Sequence, residues 1–332
     1  MNASKPNTDS IQMTWLEKPR LWLERLLEAR STYEQQPSES WFAPNHQVLT
    51  LAKRSEREVG LSILWFQVSN PATSQTVFGA VLPDDRIILV DPSSPDTSRH
   101  GSLHWLVGFL QTKTVVRTFM GTRQTLLRLG LDTPQESKSQ TSWVKYLSKT
   151  SETAQDSNAL TIRRAQESDR ILLQSWAPIF AQETEGGSAR ETLAEMLEWM
   201  RRGKLLLFNL AQAALSQAPP SPEEGTSLEP ALSEPATVAM AALSGDFTDP
   251  IAGPTCRISL LFTPPELRNH GIGALALRAI EHEARMENIQ ALVLYSKTAN
   301  QNATRFYARQ GFVPQDEWLE SPVSAFKVNT TG

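Results

Sequence analysis

The segment Leu261-Phe-Thr-Pro-Pro-Glu-Leu-Arg-Asn-His-Gly-Ile-Gly-Ala-Leu-Ala276 restricts the fold more than any other part of the chain. Its apolar lead, Arg257–Phe262, reads as a buried strand. Pro264-Pro265 stops that strand, because proline has no N–H to give to a sheet ladder. Ala274–Glu287 then carries apolar residues at helical spacing. Between the two lies Arg268-Asn-His-Gly271-Ile-Gly273, whose glycines let the backbone approach a ligand closely. The first N–H groups of a helix have no internal partner, and its dipole favours an anion. Arg268 and Arg278 add positive charge nearby. The expectation is a strand–turn–helix unit whose turn cradles a pyrophosphate.

The turn alone leaves alternatives open. Gly271-Ile-Gly273-Ala-Leu-Ala276 also fits the dinucleotide pattern G-x-G-x-x-A. That pattern calls for an acidic residue about 20 residues on, at the end of the next strand. Here the next strand ends in Tyr295-Ser296-Lys297, without a carboxylate. A plain helix start with no ligand is the third reading.

The surroundings set the turn in a mixed α/β layer. Leu160–Arg164 alternates like a strand, and Ser168 or Asp169 can cap a helix running towards Phe180. Arg190–Arg202 has apolar residues at helical spacing, and Lys204–Leu210 reads as a strand. Thr237–Leu243 and Arg257–Phe262 follow as strands, then the helix Ala274–Glu287 and the strand Ala291–Tyr295. A helix Ala303–Gln310 and a last strand Ala325–Val328 complete the order. Such alternation gives a sheet covered on both faces. Ala218 to Thr237 holds five prolines and reads as a mobile insertion between two strands.

A chain of 332 residues is long enough for about two domains. The first half offers a helix from Pro19, strands at Gln47–Ala52, Leu61–Val68, Thr76–Leu82 and Ile87–Val90, and helices at Ser102–Leu110 and Val115–Leu129. Trp143–Leu147 reads as its last strand. The composition is polar around 148–158, which is taken as a linker between a domain at 1–150 and one at 159–330 carrying the insertion 218–237. No repeat shows at the level of sequence.

A second block decides between the readings of the turn. Asn300-Gln-Asn-Ala303-Thr-Arg-Phe-Tyr307-Ala-Arg-Gln-Gly311-Phe312 follows the last buried strand as a short helix closed by glycine. With Arg-x-x-Gly-x-Gly upstream at this distance, residues 160–328 resemble the GNAT N-acetyltransferase superfamily. Phe262-Thr-Pro-Pro-Glu-Leu-Arg and Leu-Tyr-Ser-Lys-Thr-Ala-Asn look closest to a two-domain bacterial type with a divergent N-terminal domain, often a degenerate copy of the same fold. Residues 1–150 lack the Arg-x-x-Gly-x-Gly turn and are expected to bind no coenzyme A.

The resemblance implies a GNAT-like acyl-CoA N-acyltransferase fold with acetyl-CoA as co-substrate. Backbone groups of Leu261, Phe262 and Thr263, on a strand that splays from its neighbour, would bond the pantetheine arm. Arg268 and the amides of Asn269, His270, Gly271, Ile272, Gly273 and Ala274 would hold the pyrophosphate. Asn300 would face the thioester end, and Tyr307 matches the tyrosine that protonates the leaving thiolate. The acceptor is expected to be a small-molecule or peptide amine. A non-catalytic acyl-CoA-binding sensor or scaffold is the alternative.

The rest of the chain narrows the chemistry. A net charge of −4 argues against a nucleic-acid partner. The single thiol, Cys256, cannot form an internal disulfide and sits in an apolar run, so it reads as a buried side chain rather than a nucleophile. No metal-ligand spacing joins the five histidines to cysteines or carboxylates, and no metal is expected. With no signal-like N-terminus and no stretch of about 18 apolar residues, a cytoplasmic protein off the membrane is expected. The general base is not legible: Glu183, Glu185 and Asp246 are candidates, each also readable as a solvated surface group. Trp176 and Phe180 read as a core stripe or as an acceptor wall.

Overall fold

The computed structural model describes residues 11–31, 42–55, 62–71, 75–92, 104–113, 115–130, 138–147, 160–184, 188–210, 236–249 and 253–325. In chain order the first elements are β1 (Gln12–Leu16), α1 (Pro19–Ser31), α2 (Phe42–Ser55), β2 (Leu64–Asn70), β3 (Gln75–Val81) and β4 (Arg86–Val90). Then come α3 (His104–Lys113), β5 (Thr118–Thr122), α4 (Arg123–Arg128) and β6 (Lys138–Tyr146). The second half runs β7 (Leu160–Arg164), α5 (Arg170–Thr184), α6 (Ala189–Arg201), β8 (Leu205–Leu210), β9 (Thr237–Asp249) and β10 (Gly253–Phe262). It closes with α7 (Ile272–Met286), β11 (Ala291–Lys297), α8 (Gln301–Arg309) and β12 (Val313–Pro322). The expected linker 148–158 and most of the insertion 218–237 lie outside the described residues.

The chain forms two compact units, one of 1–144 with 295–332 and one of 145–294. In the first, the strand order is β1-β2-β3-β4-β5-β12-β6. The steps from β1 to β4 are antiparallel, β4–β5 is parallel, and β12 runs antiparallel to both β5 and β6. In the second, the order is β7-β8-β9-β10-β11, with three antiparallel steps and then a parallel one. The same pairing sequence thus occurs twice, a duplication the residue pattern does not reveal. The segment 295–332, part of the second domain in the sequence reading, is compact with the first unit because β12 is hydrogen-bonded there.

Each unit has its own core. In the first, Phe66, Val68, Ile87, Leu89, Leu110, Phe119 and Leu126 pack together. In the second, Leu173, Trp176 and Ala177 of α5 meet Met196 and Met200 of α6 over Leu205, Leu207, Met240 and Phe262. Helix α6 starts as its sequence dictates: the Ser188 hydroxyl accepts from Glu191 N–H, and the Glu191 carboxylate accepts in return from Ser188 N–H.

Three sequence expectations are corrected. Gln47–Ala52 lies within helix α2; Val48, Leu49 and Ala52 are all buried, which is helical spacing, although the β-branched residues suggest a strand. Val115–Leu129 is not one helix but strand β5 followed by α4, which begins where Thr122 accepts from Thr125 N–H. Gly121 allows β5 to lie close to β4, since a Cβ there would meet Leu89 O at 2.8 Å. The last described strand is Val313–Pro322, not Ala325–Val328: Val323–Ala325 is a 3-10 turn and 326–328 lie outside the described residues.

Candidate active site

Strand β10 carries the first part of the site. It pairs in parallel with β11 from Thr255↔Ala291 to Ile258↔Leu294. From Ser259 onward it has no partner on that side among the described residues, while pairing with β9 continues to Phe262↔Met240. Ile258 faces Leu243 and Leu260 faces Ala242, so Ser259 is the extra residue of a bulge. A bulge bends its strand and ends a ladder locally. The backbone of Ser259–Phe262 is thereby left with hydrogen-bonding groups on an opening edge. Phe262 is buried against Trp176, with ring centroids 5.5 Å apart, and Phe180, at 5.9 Å. Trp176 is therefore a core residue with the half-buried Phe180 packed against it, and Phe262 has only its main chain to offer a ligand. The Thr263 carbonyl accepts from Arg268 Nε at 2.9 Å.

The turn follows. Pro265–Leu267 makes a single 3-10 turn that Arg268 N–H closes on Pro265 O. Asn269 and Gly271 then take left-handed backbone, with φ of 65° and 77°. Asparagine tolerates that region and glycine is at home in it. Helix α7 opens directly after Gly271. Among the described residues, the N–H groups of Asn269, His270, Gly271, Ile272 and Gly273 meet no acceptor. Ala274 N–H, expected with them, instead donates to Gly271 O at 3.0 Å, as does Leu275 N–H. Five consecutive free donors at the positive end of a 15-residue helix are groups that could take an anion. A Cβ added at Gly271 would find nothing within 4 Å, so the space above the turn is open.

Arg268 does more than supply charge. Its Nε holds the Thr263 carbonyl and its Nη2 donates to Glu183 Oε2 at 2.7 Å, tying strand end, turn and α5 together. Glu183, a candidate base, is committed to this ion pair. Glu185 lies outside the described residues, and so does the side chain of Asp246 on β9. His270 is exposed, and Cys256 is buried with its thiol 3.9 Å from Ser244 O.

Asn300 and Tyr307 belong to the other compact unit. Asn300 is the N-cap of α8, its side-chain oxygen accepting from Ala303 N–H at 3.0 Å. That leaves its amide nitrogen as the group able to donate elsewhere. Tyr307 is ringed by Phe306, Phe312 and Trp143, at centroid distances of 5.3, 5.8 and 6.1 Å. Loss of water around the phenol pushes its pKa up to about 12, so it stays a neutral donor across the physiological range. Thr122 caps α4 as Asn300 caps α8, and seven residues past each cap stand Leu129 and Tyr307 respectively. Sequence reasoning missed Trp143, the Ser259 bulge and the Arg268–Glu183 pair; only Trp143 carried a signal, as an apolar residue in a strand.

Residues 187–312 match the model of the Acetyltransferase (GNAT) family. This region is similar to the GNAT acetyltransferases. The match contains the turn, the opening edge of β10, Asn300 and Tyr307. The fold likeness reaches further. An acetyltransferase of the GNAT family from Colwellia psychrerythraea, 12% identical, superposes with a TM-score of 0.54 over 95% of this chain and 100% of its own. A GCN5-related N-acetyltransferase from Sphaerobacter thermophilus, also 12% identical, gives 0.53 over 95% and 96%. A tandem GNAT protein from the clavulanic acid biosynthesis pathway, 13% identical, gives 0.51 over 94% and 98%. No curated protein matches the sequence. The duplicated strand pattern is thus a GNAT fold present twice, the N-terminal copy being the divergent one. Among the described residues no helix is long and apolar enough to cross a membrane, and no group of His, Cys, Asp or Glu could hold a metal.

Proposed function

We propose that the chain is an N-acetyltransferase that moves an acetyl group from acetyl-CoA to a primary amine by direct attack. The reading is carried by the five acceptor-free amides of residues 269–273 at the start of α7, next to the unpaired edge of β10. The amides and the α7 dipole would take the pyrophosphate, and the main chain of 259–263 would take the pantetheine arm. The functional repeat is 159–330, joined through 148–158 to a copy at 1–150 that holds no coenzyme A.

In the reaction the neutral amine nitrogen bonds to the thioester carbon and a tetrahedral oxyanion forms. A backbone N–H of the β10 edge would stabilise that charge, an effect worth about 3 kcal/mol in other acyl transfers. The C–S bond then breaks, the amine gives its proton to solvent, and Tyr307 serves as the general acid at sulfur. A free thiol ionises near pH 8.5, and the phenol near 12, so full transfer is uphill. Tyr307 therefore acts first by donating a hydrogen bond to the developing thiolate, with the proton delivered as sulfur leaves.

The test is release of free thiol from acetyl-CoA with a panel of small amines and peptide amines. Turnover with at least one amine is the expected result. Coenzyme A binding in the micromolar range without turnover on any amine would turn the reading to a non-catalytic acyl-CoA sensor or scaffold.

A further inference from the structure

We infer that Trp143, on the strand just before the linker, is a positioning residue for Tyr307. The inference rests on the reading of Tyr307 given above. Two of the rings around that phenol, Phe306 and Phe312, are its neighbours in sequence, on α8 and just after it. Trp143 comes from the far side of the linker, is 2% exposed, and lies 6.1 Å from the Tyr307 ring at a tilt of 48°.

The indole is fixed on every side that counts. Its Nε1–H donates to Ser296 Oγ at 2.9 Å, anchoring it to the end of β11. Thr298 N–H donates to Ser139 O, and the Thr141 and Thr298 hydroxyls share a hydrogen bond of 3.1 Å, so β6 follows β11 past that point. On the other edge Trp143 pairs with Pro314 of β12. The neighbouring Ser142 hydroxyl donates to Asp316 O at 2.6 Å and accepts from Asp316 N–H, clamping the β12 bulge. A ring held by its backbone on both edges and by its own N–H cannot slide. It sets the wall against which the Tyr307 ring rests, and hence the direction of the hydroxyl. Through Trp143 the divergent first repeat thus helps to hold the tyrosine of the second.

The experiment measures kcat and KM for acetyl-CoA in the full chain with Trp143→Leu, Trp143→Phe, Ser296→Ala, Tyr307→Phe and the double variant Trp143→Leu/Tyr307→Phe. Displacing a reacting group by about an ångström costs on the order of ten- to a hundredfold in rate. Trp143→Leu should lower kcat by about that much with KM unchanged, and Trp143→Phe should restore most of it. Ser296→Ala, which frees the indole without removing it, should fall between, and covers the case in which Trp143→Leu does not fold. The double variant should be no slower than Tyr307→Phe alone, since a misaimed phenol and an absent one fail alike. Additive losses, or wild-type kcat in both Trp143→Leu and Ser296→Ala, would overturn the positioning role. Full turnover in Tyr307→Phe would overturn the reading of Tyr307 itself, and the positioning role with it.

Discussion

Gly271→Asp separates the ligand role of the turn from its structural role. The residue has φ of 77°, and a side chain there meets nothing within 4 Å, so the substitution creates no clash. Left-handed backbone costs a non-glycine residue about 1–2 kcal/mol, and aspartate sits near the low end because its short polar side chain suits that region. The folded chain should survive, with a modest drop in its urea midpoint. The new carboxylate stands where a pyrophosphate would lie. Two unit charges about 4 Å apart at an effective dielectric near 20 repel by about 4 kcal/mol. Screening at an exposed turn takes this to about 2–4 kcal/mol, or roughly a 30- to 700-fold weaker Kd for coenzyme A. Gly271→Asn is the control, matching shape and backbone demand without the charge. Titration calorimetry at two salt concentrations should show the aspartate variant much weaker than the asparagine one, with the gap narrowing as salt rises. If the aspartate variant binds like wild type, the anion does not sit on these amides.

Tyr307→Phe should lower turnover by about a hundredfold or more while coenzyme A affinity by calorimetry stays near wild type. Glu183→Gln should cost under about 1 kcal/mol of stability, because both members of its pair with Arg268 are partly exposed. It should also spare kcat; a loss of about a hundredfold would instead make Glu183 the general base. Asp169 accepts two hydrogen bonds of 2.7 Å from Arg163 and one from Gln166 N–H, and the Arg163 guanidinium holds its carboxyl below the usual carboxylate range. Its stabilisation is therefore fully present above the unfolded-state value of about 3.9 and is lost as pH falls through the depressed folded value. Asp169→Asn should be about 1–2 kcal/mol less stable at pH 7, and the difference in urea midpoint should close below about pH 4. A gap independent of pH would refute the assignment.

The parts of the fold legible in the sequence are those set by local chemistry. Pro264-Pro265, the glycine pair and the apolar face of α7 are all short-range signals, and they located the turn. The capping box at Ser188 and Glu191 is equally local, although apolar spacing alone starts that helix at Arg190. Illegible parts depend on partners far off in the chain. Strand β12 holds Pro314, Asp316, Glu317 and Glu320, residues that give no strand pattern by themselves, and its hydrogen bonds come from β5 and β6. Arg268 read as a phosphate ligand, yet two of its donors serve Thr263 and Glu183, a pairing spacing cannot foresee. The Ser259 bulge is invisible for a related reason, since it exists only as a mismatch in length against β9.

The seat of β12 between β5 and β6 has a consequence for how the protein is made. Strand β5 waits for a neighbour synthesised about 190 residues later. Until the ribosome reaches that stretch, β5 and β6 each offer a bare edge, the kind of surface on which nascent chains stick to one another. The gene should therefore resist being split at the linker: an isolated N-terminal fragment is expected to precipitate unless the peptide 313–322 is supplied in trans.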